Sequence, residues 1–80
     1  MNDYQAKYKE QQEIIINLLK KHHLIIETQE IFCRTFASIV IPNGHILWHS
    51  RAYVGKDRRK MMIDAALEWL TEYDKAHLTS

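Results

Sequence analysis

The stretch Ile39-Val40-Ile41-Pro42-Asn43-Gly44-His45-Ile46-Leu47-Trp48 decides the fold. Two apolar runs flank a polar break containing Asn43-Gly44, a pair suited to the two positive-φ positions of a type I′ turn. The pattern predicts antiparallel strands over 33–41 and 45–53. That turn would set the register, with Ile41 facing Ile46, Ile39 facing Trp48, Ala37 facing Ser50 and Thr35 facing Ala52. Side chains alternate along a strand, so this set shares one face, the more apolar one, which should lie under helices. The opposite face carries Arg34, Phe36, Ser38, Val40, Leu47, His49, Arg51 and Tyr53.

Downstream, residues 57–76 read as a helix capped by Asp57 just after Gly55-Lys56. Met62, Ile63, Ala66, Leu67, Leu70 and Tyr73 form a broad apolar stripe, with Met61, Ala65 and Trp69 beside it. The arc is wider than one sheet face covers, so either a first helix packs on Met61 and Trp69 or a partner does. Upstream, residues 24–30 read as a short strand. Residues 3–22 read as a helix carrying Tyr4, Tyr8, Ile15, Leu18 and Leu19 at helical spacing, with Ile14 and Ile16 widening the stripe. Lys20, Lys21, His22 and His23 close it, where cations suit the dipole. The order is α-β-β-β-α. It describes one α+β domain over 1–80, a three-stranded antiparallel sheet with both helices packed on one face.

Size and composition narrow the function. The chain has 80 residues, 46% hydrophobic and 26% charged, with a formal charge of +1. A core of that size stabilises only marginally, and partners often help. A charge near neutrality means that any case for nucleic acid rests on local clustering. The single cysteine, Cys33, has no internal disulfide partner and reads as a small buried thiol in a reducing compartment. The polar N-terminus and apolar runs of at most three residues give no secretory leader and no membrane span, which points to the cytoplasm.

The clustering exists. Lys56, Arg58, Arg59 and Lys60 surround the start of the last helix, where free N–H groups and the dipole favour anions such as phosphate. The competing reading is a solvated helix start whose cations pair with Asp57 and Asp64. Within the run Gly55-Lys56-Asp57-Arg58-Arg59-Lys60-Met61-Met62-Ile63-Asp64-Ala65-Ala66, the glycine, cap, basic-pair and Ala-Ala spacings fit one family pattern. Phe36 and Gly44 add its spacing from a strand phenylalanine to a turn glycine. Over 36–70 the chain resembles the double-stranded RNA-binding domain. Met62 stands where that family usually has a further lysine, and Glu30-Ile31-Phe32 replaces its Gly-Pro-x-His loop. The resemblance implies duplex RNA as partner, held through Lys56, Arg58, Arg59 and Lys60, with Gln5, Lys9 and Gln12 of the first helix beside it.

The rival surface is the outer sheet face, where Phe36, Val40, Leu47, His49, Arg51 and Tyr53 mix aromatic, aliphatic and basic groups with no helix left to cover them. Such a face either stacks single-stranded bases or binds protein, for instance as a homodimer. A small interaction or inhibitor protein, of the kind mobile genetic elements encode, fits this size. No catalytic motif, cofactor loop or metal-ligand spacing is present, so the chain reads as non-enzymatic, without cofactor or metal. His45 and His49 lie about 13 Å apart along a strand, too far for one ion.

Overall fold

The computed structural model describes residues 3–78, with side chains from residue 7 onward. The chain runs α1 (Asp3–Lys21), β1 (Ile25–Ile31), β2 (Arg34–Val40), β3 (Ile46–His49), β4 (Tyr53–Val54) and α2 (Arg58–Ala76). It is an α+β domain. The antiparallel sheet has β2 at its centre, β1 on one side, and β3 and β4 in line on the other. Ile15 and Leu19 of α1 meet Ala66 and Leu70 of α2 over Ile39 of β2, so both helices cover one sheet face.

Helix α1 ends where His23 takes φ 55°. The Leu24 N–H reaches back to the Leu19 carbonyl at 2.8 Å, and the His23 N–H to Lys20 at 3.3 Å. This is the left-handed close that brings two apolar residues together, and Leu19 and Leu24 are both buried in the core. Ile14 and Ile16, expected to widen the stripe, are exposed instead. In α2 the spacing of four buries Met62, Ala66 and Leu70, as the sequence pattern predicts. Trp69 is met by Trp48 of β3, with ring centroids 6.2 Å apart. The sheet therefore covers part of the wide apolar arc.

The central hairpin departs from expectation at its turn. Ile41 donates its N–H to His45 at 3.0 Å, and Gly44 donates to Ile41 at 2.8 Å. Gly44 has φ 95°, whereas Asn43 is not in the positive region. Pro42, Asn43 and Gly44 thus make a three-residue loop ending in a left-handed glycine, not a two-residue type I′ turn. Pro42 presets the φ that the first central position of such a turn needs. The Asn43 Oδ1 accepts the His45 N–H at 2.9 Å.

The altered turn slips the register, and bulges correct it. Val40 pairs with Ile46, yet Ile39 pairs with Trp48, so Leu47 is an extra residue. Ser50 still donates its N–H to Ala37 at 2.8 Å. A second irregularity at residues 51–52 then brings Tyr53, not Ala52, opposite Thr35. Thr35, Ala37 and Ile39 are buried on the helix side. The other hairpin reverses over Phe32 and Cys33, at φ 50° and 61°. Cys33 is exposed there, not buried.

Candidate functional site

The basic start of α2 is held by a carboxylate from the far side of the sequence. Glu30 of β1 meets Arg58 at 2.7 Å and Arg59 at 3.0 Å, one oxygen to each guanidinium. The Thr35 hydroxyl donates to the same carboxylate at 3.1 Å. Hydrogen bonds from Arg59 first, then Arg58 and Thr35, lower the Glu30 pKa from 4.5 to about 2. Lys60 pairs with Asp64 at 2.9 Å, one turn on. Asp57 occupies the N-cap position but makes no side-chain cap hydrogen bond, and the first turn holds no acidic residue.

This arrangement both builds and blocks an anion site. The uncapped helix end and the exposed Lys56 and Arg59 favour a phosphate. Glu30 already takes two of the guanidinium forks that a phosphate would use. Tyr8 of α1 lines a recess with Lys56, Arg59 and Lys60. A neighbouring groove brings Gln12 together with Tyr8, Glu30 and Arg59. Lys9 is exposed and lines neither. The side chain of Gln5 lies outside the described residues.

The outer sheet face changes membership. Phe36 and His49 remain on it, with ring centroids 6.0 Å apart, and Ser38 is 2.9 Å from the His49 Nδ1. Val40 belongs to this face but is buried between its pair partners Ile25 and Ile46. Leu47, displaced by the bulge, packs against the core. The second bulge carries Arg51 and Tyr53 to the helix side. There Arg51 lies 4.9 Å over the Tyr53 ring, and both line a shallow cleft of about 470 Å³ with Trp48, Trp69, Glu68 and Glu72. In exchange the face gains Ile25, Ile31, Ile46 and Val54, exposed by 48, 48, 56 and 59%. Sequence reading missed Ile46 because the three-residue turn slips the register there, and Val54 because the irregularity at residues 51–52 shifts the strand once more.

A further cluster joins the helix ends. Asp74 of α2 takes Lys21, the last residue of α1, and His22, which follows it, each at 2.8 Å. These two partners, Lys21 first, hold its carboxyl below the usual range. Tyr73 stacks between Trp69 and His77, with ring centroids 5.0 and 4.0 Å away. Among the described residues, no group of three His, Cys, Asp or Glu could hold a metal ion, and no helix is long and apolar enough to cross a membrane.

Comparison with known protein families, characterised proteins and solved structures returns no match. The chemistry of the surfaces is therefore the guide to function.

Proposed function

We propose that this chain is a non-enzymatic protein-interaction module that binds a partner through its outer sheet face. One observation carries the reading. Both helices cover the same side of the sheet, and the uncovered side presents Ile25, Ile31, Ile46 and Val54 around Phe36. An apolar face rimmed by Glu27, Arg34 and His49 has the composition of a protein interface. A photo-reactive phenylalanine analogue at Phe36 tests it in the source cell. The expected result is a discrete adduct that disappears when Ile46→Asp and Val54→Asp are added, and that the same analogue at Lys9 does not form. Equal labelling from both positions overturns the reading.

The uncapped α2 start favours a second reading, duplex nucleic acid bound through Lys56, Arg58, Arg59 and Lys60. Phosphate would then replace Glu30 between the two arginines. Binding should fall steeply with salt, collapse in Arg58→Glu/Arg59→Glu, and strengthen in Glu30→Gln. Absence of binding to duplex RNA and duplex DNA at low salt removes this reading.

A further inference from the structure

The two edges of the sheet differ. The β3–β4 edge is broken twice and bends away at residues 50–52. The β1 edge is a straight run of seven residues, Ile-Ile-Glu-Thr-Gln-Glu-Ile, paired in unbroken register with β2. It has no proline, no lysine and no bulge, and of its two charged residues Glu30 is neutralised by Arg58 and Arg59, which leaves Glu27 as the one charge guarding the edge. Residues 27–31 are all exposed.

The direction of the free backbone groups follows from the turn. A two-residue loop at Phe32-Cys33 makes Ile31 and Arg34 its closing hydrogen-bonded pair. Ile25, Glu27, Gln29 and Ile31 therefore turn their N–H and C=O groups toward β2. Ile26, Thr28 and Glu30 turn theirs outward. The far side of β2 agrees: Ala37 exchanges bonds with Ser50, and Ile41 donates to His45, so odd-numbered residues of that strand serve β3.

We infer that β1 pairs antiparallel with β1 of a second copy of this chain, about a two-fold axis through Thr28, to form one continuous sheet. In this register Thr28 meets Thr28, and Ile26 meets Glu30 of the second copy, so every outward backbone group finds a partner. On the outer face Ile25 lies opposite Ile31 of the second copy, which covers two of the exposed isoleucines at each end. Glu27 lies opposite Gln29, so the register avoids placing like charges directly across from each other. Glu30 is already held by Arg58 and Arg59. The pairing is self-complementary, as a two-fold interface requires. It leaves the outer faces of both copies on one side, and it does not depend on that face binding any other protein.

Sedimentation and light scattering over a concentration series test it. A strand pair buries little area, so a micromolar dimer of twice 9.6 kDa is expected. Thr28→Pro removes an N–H that the chain itself does not use and should weaken the dimer at least tenfold while far-UV circular dichroism is unchanged. Register is read by disulfide trapping on a Cys33→Ser background. Glu27→Cys mixed with Gln29→Cys should give a cross-linked heterodimer, whereas either alone should not, because like positions sit diagonally at about 7–8 Å. A monomer at all concentrations overturns the inference, as does cross-linking of either single variant as readily as the mixture. If Thr28→Pro does not fold, the trapping result decides. Failure of Phe36 to form any adduct in the otherwise unaltered chain, with the dimer intact, would count against the outer-face reading alone.

Discussion

In the hairpin joining β1 to β2, the chain reverses over Phe32 and Cys33. In the hairpin joining β2 to β3, it takes Pro42, Asn43 and Gly44. The tight turn places two side-chain-bearing residues at positive φ, a conformation that glycine or asparagine usually supplies. Seven consecutive pairs between β1 and β2 hold it there. The looser turn contains the glycine and relieves that strain, but its extra residue slips the register. A slip left alone would send Trp48 to the outer face. The bulge at Leu47 restores Ile39 to Trp48, and the indole returns to the helix side. The two-residue turn goes with unbroken register in one hairpin, while the three-residue loop goes with a bulge in the other. The straight hairpin offers an open edge, and the bent one buries its chemistry against α2.

The strongest way to break this contrast is at Ser50. Where the chain leaves the ladder, the Ser50 hydroxyl replaces its own carbonyl as acceptor for the Ala37 N–H, at 2.9 Å. It also donates to the Arg51 carbonyl at 2.8 Å. Ser50 is 4% exposed, so Ser50→Ala leaves a buried donor without a partner and should cost about 1–3 kcal/mol in urea unfolding. Ser38→Ala, which removes an exposed bond to His49, should change stability by less than about 0.5 kcal/mol. Equal losses at the two serines would mean that the bulge does not depend on the hydroxyl.

The turns themselves should respond with opposite signs. At Gly44 an added Cβ meets nothing within 4 Å, so Gly44→Ala suffers only from φ 95°. It should destabilise by about 1–2 kcal/mol. Cys33→Gly relieves comparable strain at φ 61° but increases the freedom of the unfolded chain, which costs about 0.5–1 kcal/mol. A net gain of up to about 1 kcal/mol is expected. Phe32→Asn combined with Cys33→Gly should add to it. A loss in the combined variant would show that Phe32, 94% exposed, contributes something other than turn geometry.

What could be read in advance divides along the same line. The helices, the Met62–Ala66–Leu70 stripe and the inward set Thr35, Ala37 and Ile39 follow from local periodicity, which burial then enforces. Asn43-Gly44 was informative about the reversal and misleading about its type, because Pro42 before it also fits the first central position of a turn. Phe32-Cys33 carries no turn signal; its geometry is imposed by the pairing around it. The partner of Arg58 and Arg59 lies 28 and 29 residues away on β1. No spacing within α2 points to Glu30, so the run could be read only as a basic helix start or as one neutralised locally.

The smallest expected effect concerns that same Glu30, which ties the straight hairpin to α2. Its folded pKa of about 2 lies below the ordinary 4.5. The stabilisation is therefore present above pH 4.5 and is lost as the pH falls toward 2, because the unfolded chain binds the proton more readily. Asp74 shifts in the same direction through Lys21 and His22, so wild-type acid unfolding reports both groups. The two can be separated. Glu30→Gln should flatten part of the stability loss between pH 4.5 and 2 and leave the part belonging to Asp74, while Asp74→Asn should do the converse. Both pairings are partly open to solvent, so each effect should shrink in high salt. If Glu30→Gln leaves the acid limb of the curve unchanged, the two arginines do not hold Glu30 in solution, and the α2 start is open to an incoming phosphate.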